Sequence, residues 1–277
     1  MSELVVPSFT RKLSWAEEHL DKLDGEIGKF RDRHPYRTRK VVKGKNKGEW
    51  IMEFTERPDP RWSLIVGDIL YNLRSSLDHL AGALNPSSQR SHVMYPIVRE
   101  EIWNIPYIDG ENQERTRLRE KWNVSTRHMS DEAVAVVQRC QPTDRGHEPY
   151  FHCLDLLNRL SNKDRHRTLH IHLTGLVSIS VRFFDKDGNV YSVTAEPDVP
   201  EGLPGTAALK DKATIQMPPE LPDDLIVDVK IQGSTTQAIN MGQDGRQVII
   251  PDALRQILDW IRNEAVAPLS PFFHGLK

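Results

Sequence analysis

Two stretches of this chain collect side chains able to do proton-transfer and phosphate chemistry. Arg61–Leu84, RWSLIVGDILYNLRSSLDHLAGAL, carries Asp68, Asn72, Ser75 and His79, with Arg74 and Asp78 on the flank. His152–Arg167, HCLDLLNRLSNKDRHR, carries His152, Asp155, Arg159, Asn162 and His166, with Asp164 beside the last two. Residues of an α-helix advance about 100° each, so the first four polar residues fall within roughly 40° of Asp68 and the second five within roughly 80° of one another. An imidazole with an ordinary pKa of about 6.5 both takes and gives protons near neutrality. An arginine offers a planar fork of donors that fits two phosphate oxygens. Two helices with such stripes can meet to build a site inside a helical domain.

A plainer reading stands beside this one. Every amphipathic helix has a polar side, and water usually covers it. Exposed helix faces favour Glu, Lys and Gln, whereas Asp, Asn, Ser and His hold helical shape poorly. Their concentration on one stripe therefore indicates hydrogen-bonding work, structural or catalytic. The cluster NKDRHR at Asn162–Arg167 also suits a helix end, where basic groups complement the dipole.

Arg74-Ser75-Ser76-Leu77-Asp78-His79 has the form Arg-x4-His, which resembles the signature of HEPN domains. Arg159-x6-His166 fits a looser version of the same signature, and HEPN motifs often place Asn, Asp or His where this chain has Ser75. The wider pattern, RWSLIVGD–NLR–LDHL followed by N-x-D-x-H-R, also resembles a family of uncharacterised bacterial proteins. The HEPN resemblance implies a helical bundle and a metal-independent RNase of stress or phage response, its active site formed across a homodimer. Under it, His79 is the general acid/base, Arg74 stabilises the scissile phosphate and Asp78 positions one of them. Asn162, Asp164 and His166 complete the catalytic set, and the RNA 2′-hydroxyl attacks the adjacent phosphorus. The competing expectation is a non-catalytic binding or assembly protein whose polar stripes form a structural hydrogen-bond network.

The elements that must position these residues follow from period and punctuation. Ser8–Arg33 is expected to be a helix through Leu13, Leu20, Leu23, Ile27 and Phe30, ended by His34-Pro35. Thr38–Thr55 changes to strand character around the GKNKG tip and predicts a β-hairpin. Arg61–Leu84 is the long helix, stopped by Asn85-Pro86. A short charged segment at Glu111–Trp122 reads as helical. Ser130–Gln141 has a capping serine, early acids and a closing Pro142. A helix at about Glu148–Arg167 follows. From Leu169 the pattern turns β-branched: Ile171–Phe184, Val190–Thr194, Ala213–Met217, Leu225–Ile231 and Gln247–Ile250 are strand candidates. Pro251 opens a last helix with Leu254, Ile257, Leu258 and Ile261 on one face. The expected fold class is α+β: a helical HEPN-like domain over residues 1–168 with the hairpin at about 38–55, then residues 169–277 as a small antiparallel sheet backed by the final helix.

The totals constrain partners only locally. Lys+Arg is 37 against 39 Asp+Glu, a net charge of −2. Lys29–Lys47 nevertheless holds nine basic residues against Asp32 alone, and Asp185–Asp228 holds ten acids against three lysines. Arg37, Arg39, Lys40, Lys43 and Arg167 are the candidate nucleic-acid contacts, with RNA the expected polyanion and Tyr36 and Trp50 near enough to stack on bases. The same hairpin also reads as a solvated edge whose lysines discourage strand pairing. Cys140 and Cys153 are the only cysteines. That count excludes a disulfide scaffold and disfavours a thiolate zinc site, and it suits a cytoplasmic protein. A helical bundle could gather His152, Asp155 and His166 with Asp68 or His79 as metal ligands, but neither Glu-x-x-His nor HExxH occurs, and no metal or cofactor is expected. Phosphate-loop and nucleophile-elbow patterns do not occur either. No apolar run approaches the roughly 18–20 residues that cross a bilayer, so no membrane partner is expected.

Overall fold

A computed structural model of the protein describes residues 7–33, 36–40, 50–85, 93–99, 102, 113–143, 152–166, 171–176, 179–184, 190–195, 212–215, 226–228, 235–240 and 247–273. The helices are α1 (Ser8–Asp32), α2 (Arg61–Ala83), α3 (Gln113–Thr126), α4 (Asp131–Arg139), α5 (Cys153–His166) and α6 (Asp252–Trp260). The last continues through a π-helical stretch, Ile261–Val266, into α7 (Ala267–Leu269) and a 3-10 turn, Ser270–Phe272. The chain divides into two compact units. Unit 1 is Met1–Leu23, Ser63–Leu169 and Pro251–Lys277; unit 2 is Asp24–Trp62 and His170–Ile250.

Unit 1 is built from apolar helical stripes. Leu13, Ala16 and Leu20 of α1 and Val66, Ile69, Leu70, Leu73, Leu77 and Leu80 of α2 are all buried, as the helical period predicts. Val136 and Val137 of α4, Leu154, Leu157 and Leu160 of α5, and Leu254, Ile257 and Leu258 of α6 complete the core. α4 starts where expected: the Ser130 hydroxyl accepts from the Ala133 amide at 3.2 Å, satisfying one free donor of the first turn. The final helix is tied to α1 by two ion pairs. Arg255 pairs with Asp21 at 2.9 Å and Arg262 with Glu17 at 2.6 Å.

In unit 2, Trp62 stacks edge-on against Phe30 with centroids 5.4 Å apart and donates its ring N–H to Glu26 at 3.0 Å. The backbone strands are β1 (Tyr36–Lys40), β2 (Trp50–Phe54), β3 (Ile171–Leu176), β4 (Ile179–Phe184), β5 (Val190–Ala195), β6 (Lys212–Ile215), β7 (Ile226–Asp228), β8 (Thr235–Asn240) and β9 (Gln247–Ile250). They pair as three separate three-stranded groups, in the orders β1-β2-β6, β3-β8-β9 and β5-β4-β7.

The expected α+β class, a helical domain plus one small antiparallel sheet backed by the last helix, is therefore corrected. Helices hold 77% of the residues whose packing is described, so the protein is mainly helical there. Almost all of the described core lies in unit 1, where the C-terminal helix pairs with α1. The physical reason is that β-branched alternation reports a local preference for extended backbone. It does not report how many ladders form, or whether a packed core forms on them. The amphipathic stripe of the last helix likewise fixes what it buries, not what covers it.

Candidate functional site

The polar residues of α2 divide between two neighbours. Asn72 is buried and accepts from Lys12 Nζ of α1 at 3.2 Å, while its own amide donates back to the Asp68 carbonyl at 2.8 Å. His79 is exposed, and its Nδ1 lies 2.8 Å from Ser8 Oγ at the start of α1. These members of the stripe form a seam with α1. Arg74, Ser75 and Asp78 face elsewhere.

Arg74 and Asp78 hold an extended piece of chain, Tyr95–Arg99. Asp78 Oδ1 accepts the Tyr95 amide at 2.9 Å and pairs with Arg74 Nη2 at 3.2 Å. Arg74 Nη2 donates to the Tyr95 carbonyl at 2.9 Å. Gln141, fully buried, continues the clamp by accepting from the Val98 amide at 2.8 Å and donating to the Pro96 carbonyl at 3.1 Å. Asp155 of α5 ends it: this carboxylate, 1% exposed, pairs with Arg159 at 2.9 Å and takes Arg99 Nε on its other side. A buried segment must satisfy its backbone polar groups somewhere. Among the described residues, side chains from α2 and the end of α4 do so here, while α5 holds the Arg99 side chain.

A cleft of about 170 Å³ opens between α2 and α5. Leu70, Tyr71, Arg74, Ser75 and Asp78 line it from α2, and Ser161, Asp164 and Arg165 from α5. The three α5 residues sit at i, i+3 and i+4, one face of the helix. Close approach is allowed by Gly67: a Cβ built there would lie 3.0 Å from Asp164 Oδ2. Burial, partly offset by Asp78, lowers the pKa of Arg74, and Arg165 pushes it the same way as burial. Lys121 of α3 is lowered by burial, then by Arg74 and Arg165, with Asp78 opposing, which puts a third cation close to the cleft. Asp164 is raised by burial and then by the neighbouring Asp68 carboxylate.

Of the residues the sequence singled out, the cleft therefore unites Arg74, Asp78 and Asp164. His79 does not line it, and Asn162 is exposed and does not line it either. His166 is the last residue of α5, and its side chain lies outside the described residues. Arg37, Arg39 and Lys40 are on β1, in register with Glu53, Ile51 and Trp50, and only their backbone is described. Lys43 and Arg167 lie outside the described residues. Ser161, Arg165 and Lys121 were not anticipated. The first two had a legible signal in their helical spacing with Asp164; Lys121, in an evenly charged segment, had none.

His152 and Asp155 are each engaged within the fold. His152 is buried, its ring meets Trp260 edge-on at 5.1 Å, and its Nδ1 accepts the Leu154 amide at 3.2 Å at the start of α5. Among the described residues no group of three or more His, Cys, Asp or Glu side chains could hold a metal ion. No described helix is long and apolar enough to cross a membrane. No family model, curated protein or solved structure matches this chain, so the likeness to HEPN domains rests on the short motif alone.

The environment of Asp164 makes a testable demand on stability. Its folded-state pKa is raised above 3.8, so its ionisation opposes folding. The stability it contributes is complete below 3.8 and is lost as pH rises through the higher folded value. Asp164→Asn should therefore be more stable than the parent at about pH 7, and the gain should shrink towards about pH 4. Urea midpoints across that range measure it; a gain independent of pH would show that charge is not the cause.

Proposed function

We propose that this chain is a non-catalytic binding protein, in which the polar helix stripes form a structural hydrogen-bond network and the α2–α5 cleft receives a ligand. One observation carries the reading: the Arg74–Asp78 pair is committed to the Tyr95 backbone, while His79 is turned to Ser8 and away from the cleft. A general acid or base must come within hydrogen-bond reach of the proton it moves. Arg74 and His79 do not share a face from which one phosphate could be both gripped and protonated.

Purified protein is expected to leave single-stranded and hairpin RNAs uncut, with or without EDTA. His79→Ala should change the melting temperature little, because the ring is exposed and loses a surface hydrogen bond. EDTA-resistant cleavage that disappears in His79→Ala would replace this reading with the HEPN-type ribonuclease. In that case RNA and a second copy of the chain become the partners to test, and the basic residues of β1 the first contacts to alter.

A further inference from the structure

We propose that the α2–α5 cleft binds a phosphate group that still carries a proton, with inorganic hydrogen phosphate as its simplest form. This rests on reading the cleft as a binding site and names its ligand class.

Two buried donors in the cleft are unmet. Arg74 is 7% exposed and Ser161 6%. Arg74 Nη1 and Ser161 Oγ are both buried, and among the described residues neither has a hydrogen-bond partner. They come from opposite walls of the same cleft. A buried guanidinium N–H and a buried hydroxyl left unpaired each carry a desolvation penalty, which an oxygen-rich ligand between them would remove. Arg74 already uses Nη2 on the Tyr95 carbonyl, so its orientation is fixed before any ligand arrives.

Arg165 lines the cleft beside Arg74, and Lys121 is close enough that both arginines act on its ammonium. Like charges gathered this way repel one another, and an anion between them relieves the repulsion. Asp78 offsets part of this field, but its Oδ1 is already occupied by Arg74 and the Tyr95 amide.

Asp164 selects among anions. It lines the cleft from α5, and an ionised carboxylate only accepts hydrogen bonds. Facing a fully deprotonated oxyanion, it repels. Facing one that bears an O–H, it accepts that proton in a charge-assisted hydrogen bond. Hydrogen phosphate has such an O–H at neutral pH and sulfate has none. The combination of donors from Arg74, Ser161 and Arg165 with one acceptor from Asp164 therefore matches the first and rejects the second. The volume, about 170 Å³, admits a tetrahedral oxyanion with accompanying water.

Calorimetric titration of the full chain with inorganic phosphate and, separately, sulfate tests this. Phosphate should bind and sulfate should bind at least about tenfold more weakly, about 1.4 kcal/mol. Asp164→Asn should abolish that preference by improving sulfate binding. Arg165→Ala and Ser161→Ala should each weaken phosphate by about tenfold or more, whereas Arg57→Ala, an exposed arginine outside the cleft with the same charge change, should not. Circular dichroism of each variant establishes that it is folded. Equal binding of the two anions, no binding of either, or unchanged phosphate affinity in folded Arg165→Ala overturns the proposal. Binding confined to an RNA oligonucleotide overturns it as well. Absence of phosphate binding without RNA cleavage removes this ligand and leaves the non-catalytic reading intact; cleavage dependent on His79 removes that reading itself.

Discussion

Asp155→Ala is expected to destabilise unit 1 by about 3–5 kcal/mol. The carboxylate is 1% exposed and lies between two arginines, Arg159 one turn along α5 and Arg99 at the end of the Tyr95–Arg99 segment. Removing it takes this ion pair from Arg159, whose side chain is only 19% exposed. It also releases the far end of a segment that the rest of the clamp holds at Tyr95, Pro96 and Val98. The first turn of α5 loses its acid at the positive end of the helix dipole, a smaller effect of about 0.3–1 kcal/mol. Arg99→Ala should be far milder, about 1 kcal/mol or less, because that side chain is 45% exposed and water replaces its partner. Chemical denaturation of the two variants gives the comparison. A loss below about 1 kcal/mol for Asp155→Ala would show that the buried carboxylate is not what secures the segment.

The same residue shows where sequence reading stopped. Asp155 was read as one of five polar groups on a wet stripe, on the ground that a helix turns polar groups outward. Its partner Arg99 lies 56 residues away, in a segment without helical or strand period. Periodicity assigns a residue to a face; it cannot say that a charged residue on that face will be covered by a distant loop bringing its own countercharge. The apolar stripe of α2 had no such difficulty. Val66, Ile69, Leu70, Leu73, Leu77 and Leu80 are each 0–1% exposed because any neighbour that covers them gives the same favourable burial. Hydrophobic contact is non-directional, so its outcome is legible without knowing the partner. A hydrogen bond has one donor and one acceptor, and its outcome is not.

His79 illustrates the same limit in the candidate site. The Arg-x4-His spacing places it five residues after Arg74, about 140° around the helix. The resemblance to HEPN domains implies that both act on one phosphate. The fold instead puts α1 on the His79 side and the Tyr95–Arg99 segment and α5 on the Arg74 side. Asp164 is legible in the sequence as part of a reactive cluster with Asn162 and His166, whereas its neighbour Arg165 carries no such signal. The face that reaches the cleft is defined by Ser161, Asp164 and Arg165, none of which needs to be nucleophilic to bind an anion.

Asp78→Ala should cost about 2–3 kcal/mol, and how that loss responds to a second substitution separates a structural pair from a catalytic one. Asp78 Oδ1 holds both the Tyr95 amide, at 2.9 Å, and Arg74 Nη2, at 3.2 Å. Alanine leaves a backbone donor without its acceptor and a guanidinium, 9% exposed, without its countercharge. The Asp78 side chain is itself 28% exposed, so water reaches the gap, and the loss falls below that expected for Asp155. Asp78→Asn keeps an oxygen for the amide and should recover about half of the loss. The decisive variant is the double substitution Arg74→Met with Asp78→Leu. It removes both charges together and fills the space with apolar side chains, so no buried charge is left unpaired. If the pair is structural, the double variant should be at least as stable as Asp78→Ala, with a coupling of about 1–3 kcal/mol between the two sites. Additive losses would mean that Arg74 and Asp78 act independently on the fold. Arg74 would then be held in place by the Tyr95 carbonyl alone, and its buried, unpaired Nη1 would be the feature the cleft preserves.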